Sequence, residues 1–217
     1  MRKLILKMSV SIDGFVGGPQ NEADWIFVSM DEGAVDWTMN SIWQAGVHIM
    51  GSRTFHDMAS YWPSSNEVYA APMNEIPKAV FSSNSQVTLP SSRVTTEAVR
   101  DATRASGAKA ESARAGSANE QSWLNARVMS GDLAADIAQL KSEPGKDIIA
   151  HGGASFARSL VRLGLVDEYQ LLVHPFALGQ GLPIFSELPK RMALRLVSAS
   201  TFPSGAAAHV YRPRAEA

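Results

Sequence analysis

Cysteine is absent from the 217 residues, which removes disulfides, thiolate nucleophiles and the sulfur ligands of zinc. Any metal site would fall to the five histidines and the carboxylates. No stretch approaches the roughly 18 apolar residues of a membrane span. The opening Met1-Arg2-Lys3-Leu4-Ile5-Leu6-Lys7 holds too short an apolar run for a secretory signal, so the expectation is a cytoplasmic protein with no membrane partner. An excess of charge is missing too. The 20 Lys and Arg against 21 Asp and Glu leave a formal net charge of -1, which argues against nucleic acid as a partner. What is present is ordinary globular composition, 45% hydrophobic, and a length that suits one elaborated domain over 1–217.

The apolar pattern alternates between strand and helix. Leu4 to Val10 reads as a strand that ends at Asp13-Gly14, and the loop after it holds Gly14, Gly17, Gly18 and Pro19 before Glu22, Asp24 and Trp25. Ala34, Val35, Met39, Ile42 and Trp43 recur at helical spacing, and Gly46 is expected to stop that helix. Val47 to Met50 is a buried strand, and a helix follows from Gly51 to Trp62-Pro63. Pro77 to Ser82 is another strand. Ala102 to Glu120 is a low-complexity run of Ala, Ser and Gly, expected to be an excursion.

Beyond it come a helix over Asp132 to Lys141, a strand over Asp147 to Ala150, and a helix over Ala154 to Leu163. A strand over Tyr169 to His174 follows, and Ala193 to Thr201 with Ala206 to Tyr211 form a closing antiparallel pair. The sum is an α/β protein with a mixed, mainly parallel sheet. Trp37, Trp43, Trp62 and Trp123 are assigned to the core or to a subunit contact.

Three strand ends carry groups suited to phosphate. His151-Gly152-Gly153-Ala154-Ser155-Phe156 lies between a strand and a helix, where exposed N–H groups and the helix dipole favour an anion; the same pair of glycines also suits a tight turn. Gly51-Ser52-Arg53-Thr54 adds two hydroxyls and a guanidinium at a second such junction, or is a capped helix with a surface arginine. Ser82 and Ser83 follow a third strand, in the position where open α/β sheets bind ligands. Taken together they favour an extended dinucleotide with several phosphates along one sheet edge.

The string Met8-Ser9-Val10-Ser11-Ile12-Asp13-Gly14-Phe15-Val16-Gly17, followed by Asp24-Trp25, resembles the opening of dihydrofolate-reductase-like proteins. The likeness is to those related to the reductase domain of the bifunctional riboflavin-biosynthesis deaminase/reductase. Met50 to Phe55, Val80 to Ser82, Gly152 to Ala154, Val166 to Tyr169, Leu178 to Phe185 and Phe202 to Gly205 are similar to further segments of that family, in order. The resemblance implies a three-layer α/β/α fold, NADPH across the strand ends, a small-molecule substrate and a homodimer. By carry-over, Arg53, Thr54, Ser82 and Ser83 would face the adenosine phosphates and Gly152, Gly153, Ala154, Ser155 and Phe156 the pyrophosphate, with Gly51 and Ser52 also in the cofactor site. Ser52 stands where the family often has a basic residue, so a preference for NADPH leans on Arg53.

Hydride transfer asks the protein for position and a proton source. Asp24 is the candidate for orienting or protonating a substrate, or else a solvated loop carboxylate; Trp25 offers a flat wall beside it. Asp13 shapes the Asp-Gly turn within the loop expected to close over the nicotinamide, and His174 ends a strand near the same place. No acid between Asp31 and Ala45 matches the folate-gripping residue of dihydrofolate reductases, and Leu172 appears where its supporting threonine would stand. The His-x-Glu and Pro-Cys-x-x-Cys pattern of a zinc deaminase is missing. The expected function is an NADPH-dependent reductase of a pterin or ribosylamino-pyrimidine, with a different carbonyl or imine, a non-catalytic NADP(H)-sensing homodimer, or a cofactor-free scaffold as alternatives.

Overall fold

Leu4, Leu6, Met8 and Val10 of β1 (Leu4–Ser11) point to one side of a sheet, and Ile5, Lys7, Ser9 and Ser11 point to the other. This strand lies near the centre of a computed structural model that describes residues 1–82, 87 and 121–214; the run 102–120 and Ser83 lie outside the described residues. Parallel strands β5 (Asp147–His151) and β6 (Glu168–His174) flank β1. Beyond β5 lie β2 (Ala45–Gly51), β3 (Lys78–Phe81) and β4 (Arg127–Met129), also parallel. Beyond β6, β8 (Ala207–Pro213) and β7 (Leu194–Thr201) close the sheet as an antiparallel pair. The order is β4-β3-β2-β5-β1-β6-β8-β7, the mixed, mainly parallel sheet with a terminal hairpin that the sequence led us to expect.

Helices cover both faces. They are α1 (Trp25–Val28), α2 (Glu32–Trp43), α3 (Ser52–Tyr61), α4 (Ala70–Glu75), α5 (Gln121–Leu124), α6 (Leu133–Ser142) and α7 (Ala154–Arg162). On one face Leu4, Leu6, Ile49 and Ala150 pack with Ile137 and Leu140 of α6 and with Ala157 and Leu160 of α7. On the other, Ile5, Met50 and Ile149 pack with Ile42, Phe55, Met73 and Trp123 from α2 to α5. The aspartates Asp31 and Asp132 start α2 and α6 by accepting the N–H groups of Ala34 and Ala135. Among the described residues no helix is long and apolar enough to cross a membrane.

One expectation needs correction. Gly46 does not stop α2, which ends at Trp43; it lies inside β2 at a register shift. A Cβ there would come within 3.0 Å of the Lys146 carbonyl, so glycine is needed for the close approach to the start of β5. Trp43 is exposed on α2, whereas Trp123 is buried and donates from its indole N–H to Asn74 Oδ1 at 2.8 Å.

Candidate functional site

The C-terminal ends of β2 and β5 run directly into α3 and α7, so two helix N-termini point into the same groove. Gly51 caps α3 and Gly153 caps α7, and neither makes a side-chain cap bond, which leaves first-turn N–H groups for solvent or an anion. Gly152 and Gly153 have φ of 47° and 74°, values that an L side chain rarely adopts. A Cβ on Gly153 would lie 2.7 Å from Thr54 Oγ1, and one on Gly51 would lie 3.2 Å from Cβ of Phe156. The two helix starts therefore abut, and a side chain at either glycine would force a neighbour to shift.

A cavity of about 740 Å³ opens there, within the ~300–1,000 Å³ of small-molecule sites. From the start of α3 and its cap it takes Gly51, Ser52, Arg53 and Thr54; from the start of α7 and its cap it takes Gly153, Ala154, Ser155 and Phe156; from the end of β3 and just past it, it takes Phe81 and Ser82. The three separate anion motifs of the sequence are thus one wall. Gly152 sits just behind it, its missing Cβ 3.5 Å from the Thr54 methyl, and Ser83 lies outside the described residues. Sequence reasoning missed Asp57, Arg158 and Ser159, which also line the cavity. The signal was present: Arg158 and Ser159 stand three and four positions after Ser155, on one helical face. Met129 and Leu133 add an apolar end.

The other named residues gather across β1 and β6. Asp13 is exposed and fully engaged: it accepts from the Ser11 hydroxyl at 2.6 Å and from the amides of Leu178 at 3.2 Å and Gly179 at 2.8 Å. These bonds, the Ser11 hydroxyl foremost and then Gly179, hold its carboxyl below the usual range. Asp13 thus ties the loop to the 178–182 turn, which also receives Val16 N–H at the Leu182 carbonyl. Asp13→Ala is expected to lower the melting temperature at pH 7 and to speed proteolytic cleavage in the 12–24 loop; an unaltered cleavage pattern would mean that the tie is idle.

Asp24 is exposed at the start of α1 and makes no cap bond. Trp25 is buried rather than displayed, its ring edge-on to His174 with centroids 5.5 Å apart. His174 is fully buried, shares a 2.7 Å hydrogen bond between Nδ1 and Ser29 Oγ, and is pushed down to about 4 by burial, with a smaller push from Lys7. Trp25 Nε1 and His174 Nε2 have no hydrogen-bond partner among the described residues.

Between these two regions the sheet face under α2 becomes basic. Lys7 on β1 is beside His151 on β5 in register, and the His151 and His48 rings are 4.3 Å apart. Burial lowers Lys7 to about 8 and His151 to about 3, the latter helped by the charges of Lys7 and Lys78. Burial, then His151 and Lys78, keeps His48 neutral as well. Both nitrogens of His48 and Nε2 of His151 are unpartnered among the described residues; the Ile42 carbonyl near His48 falls short of hydrogen-bond geometry. The Lys7 ammonium lies 5.6 Å from the Trp37 ring centroid. Lys7 interrupts the apolar start of β1, which marks that one residue in the sequence but not its neighbours His48 and His151.

Known proteins match this chain along its length. YyaP of Bacillus subtilis (strain 168), an uncharacterised protein, is 30% identical over 210 residues, spanning 97% of this chain and 94% of its own. Among solved structures, a diaminohydroxyphosphoribosylaminopyrimidine deaminase/5-amino-6-(5-phosphoribosylamino)uracil reductase from Thermotoga maritima superposes with a TM-score of 0.59 at 13% identity. That match covers 98% of this chain and 57% of that one. Dihydrofolate reductase from Enterococcus faecalis, complexed with NADP(H), gives a TM-score of 0.56 at 12% identity, with 98% and 97% covered. The fold is therefore the dihydrofolate-reductase-like one. The model of the RibD C-terminal domain matches residues 2–208, and the chain belongs to that family.

Proposed function

We propose that this protein is an NADPH-dependent reductase that delivers hydride to a small heterocycle of the pterin or ribosylamino-pyrimidine type. The observation that carries the reading is the groove in which two glycine-capped helix N-termini, Arg53 and the Ser82 strand end share one cavity. Its donors suit a dinucleotide: backbone N–H groups and hydroxyls for the pyrophosphate, a guanidinium for a further phosphate, and Phe81, Met129 and Leu133 as an apolar end for a base. Bound NADPH would supply the hydride.

The chain's own residues do the rest. Gly152 and Gly153 let a phosphate approach the backbone, and the Asp13 tie holds the 12–24 loop against the 178–182 turn. A substrate would lie on the basic face beyond the glycine pair, where His151 and Lys7 offer hydrogen-bond donors to ring carbonyls. Asp24, on the neighbouring loop, would orient the substrate or pass it a proton.

Turnover tests this: purified protein is given NADPH with a panel of pterins and ribosylamino-pyrimidines, and loss of reduced-nicotinamide absorbance is followed. Substrate-dependent oxidation is expected with a member of the panel. Asp24→Asn should lower kcat by about 100-fold while leaving cofactor affinity alone, and an unchanged kcat would end its catalytic role. The second reading is a non-catalytic NADP(H)-binding homodimer. It is favoured by Asp31, the first acid of the α2 region, whose oxygens are engaged by the N–H groups of Ala34 and Ser204; oxidation of no substrate alongside tight NADPH binding would select it.

A further inference from the structure

We propose that Arg158 of α7 is a specificity-determining residue that, with Arg53 of α3, clamps a phosphate monoester on the adenosine ribose of the dinucleotide. The proposal rests on the reductase reading and goes beyond it by assigning the second cation. Three observations lead to it. First, Ser155, Arg158 and Ser159 all line the cavity, so α7 borders it with a full side and not with its N-terminus alone. Second, the starts of α3 and α7 abut at Thr54, Gly153 and Phe156, and Arg53 of α3 and Arg158 of α7 both line the one cavity that opens there. Third, among the described residues neither guanidinium has a side-chain hydrogen bond or ion pair, although the Asp57 carboxylate lines the same cavity.

The charge count then decides what the pair is for. A pyrophosphate is served where the helix starts meet, by backbone N–H groups and the hydroxyls of Thr54 and Ser155. Arg158 lies five residues farther along α7 than Gly153, about 7.5 Å of helix rise, beyond the first turn. Two guanidiniums that line one cavity without side-chain partners among the described residues suit a dianion, and a phosphate monoester accepts bidentate bonds from both. Ser52 supplies no charge on the α3 side, so the second cation comes from α7. Asp57 opposes the same anion, which makes it a built-in moderator of the preference.

The test is calorimetric titration of the full chain with adenosine 2′,5′-bisphosphate and with 5′-AMP, which differ only in the 2′-phosphate, alongside NADPH and NADH. Wild type is expected to favour the bisphosphate. Arg158→Ala should reduce that preference by about tenfold, the effect of one charge-assisted bond, with 5′-AMP and NADH affinities changed less than about twofold. Arg158→Lys should retain part of the preference, and Asp57→Asn should raise it. Unchanged melting of Arg158→Ala separates these effects from misfolding. Equal losses on both nucleotides would place Arg158 at the 5′-phosphate and overturn the proposal, as would no loss at all. NADPH binding without any preference over NADH would sink this inference alone, whereas binding of none of the four ligands would remove the reductase reading together with it.

Discussion

Between pH 7 and pH 5 this protein is expected to lose on the order of 3 kcal/mol of stability or more, because it buries histidines that must stay neutral. His174 falls from 6.5 to about 4 in the folded chain and His151 to about 3, in both cases mainly through burial. His48 is lowered for the same reason. A lowered imidazole value means that the unfolded chain binds the proton first. The stabilising effect of neutrality is complete above about 6.5 and is lost progressively as pH falls from there toward the folded values. Two and a half pH units on His174 alone correspond to about 3 kcal/mol at full development, and roughly 2–4 °C of melting temperature accompanies each kcal/mol in a chain of this size.

Lys7 and Lys78, lowered by burial to about 8 and about 7, act in the same direction on the alkaline side. Stability should therefore go on rising above neutrality. Thermal unfolding at pH 7, 6 and 5 reads the acid limb directly, and His174→Gln should flatten it by removing one titrating group. A melting temperature constant to within a degree or so over that range would contradict the burial of these imidazoles.

Gly153→Val should abolish dinucleotide binding, by at least about 100-fold, while costing the fold only a few degrees of melting temperature. The residue has φ of 74°, where an L side chain costs about 1–2 kcal/mol. The new Cβ would meet Thr54 Oγ1 at 2.7 Å, a side-chain atom that can rotate away. The fold can thus adapt, but the branched side chain then occupies the approach to the α7 N–H groups. Gly181→Ala supplies the contrast. Its φ is 158° and its Cβ would lie 2.3 Å from the Gly17 carbonyl, a backbone atom held by the amide of Leu182. There the loop must move, and the expected outcome is a large drop in melting temperature. Retained NADPH affinity in Gly153→Val would place the phosphate elsewhere.

How far the sequence carries depends on the range of each interaction. β1 and β5 were legible as short apolar runs that end at turn signals, and α7 because its apolar residues repeat at a period of 3.6. The glycine pair marked the turn between the last two. By contrast α1, α4 and β4 span four, six and three residues, too few for a period to register. Gly46 looked like a helix stop because the crowding that requires it comes from Lys146, a hundred residues away. Trp25 read as a flat wall beside Asp24, yet its place is set by His174 and Phe176 from the far end of the chain.

The site divides along the same line. Arg53 and the glycines announced themselves through local motifs, and the groove gathers them as expected. The cluster of Lys7, His48 and His151 comes from three strands adjacent only in the sheet order. Sheet neighbours of that kind leave no spacing to read in the sequence. Arg158 follows from helical periodicity only once Ser155 is known to face the groove, and that facing is set by the packing of α7 on the sheet.

The central claim is that the groove between α3 and α7 binds a phosphorylated nicotinamide dinucleotide. Titrating the purified full chain with NADPH and with NADH, while following tryptophan fluorescence, tests it most directly. Saturable binding that favours NADPH, is weakened by Arg53→Ala and is abolished by Gly153→Val is the result this account predicts; no saturable response to either dinucleotide would contradict it.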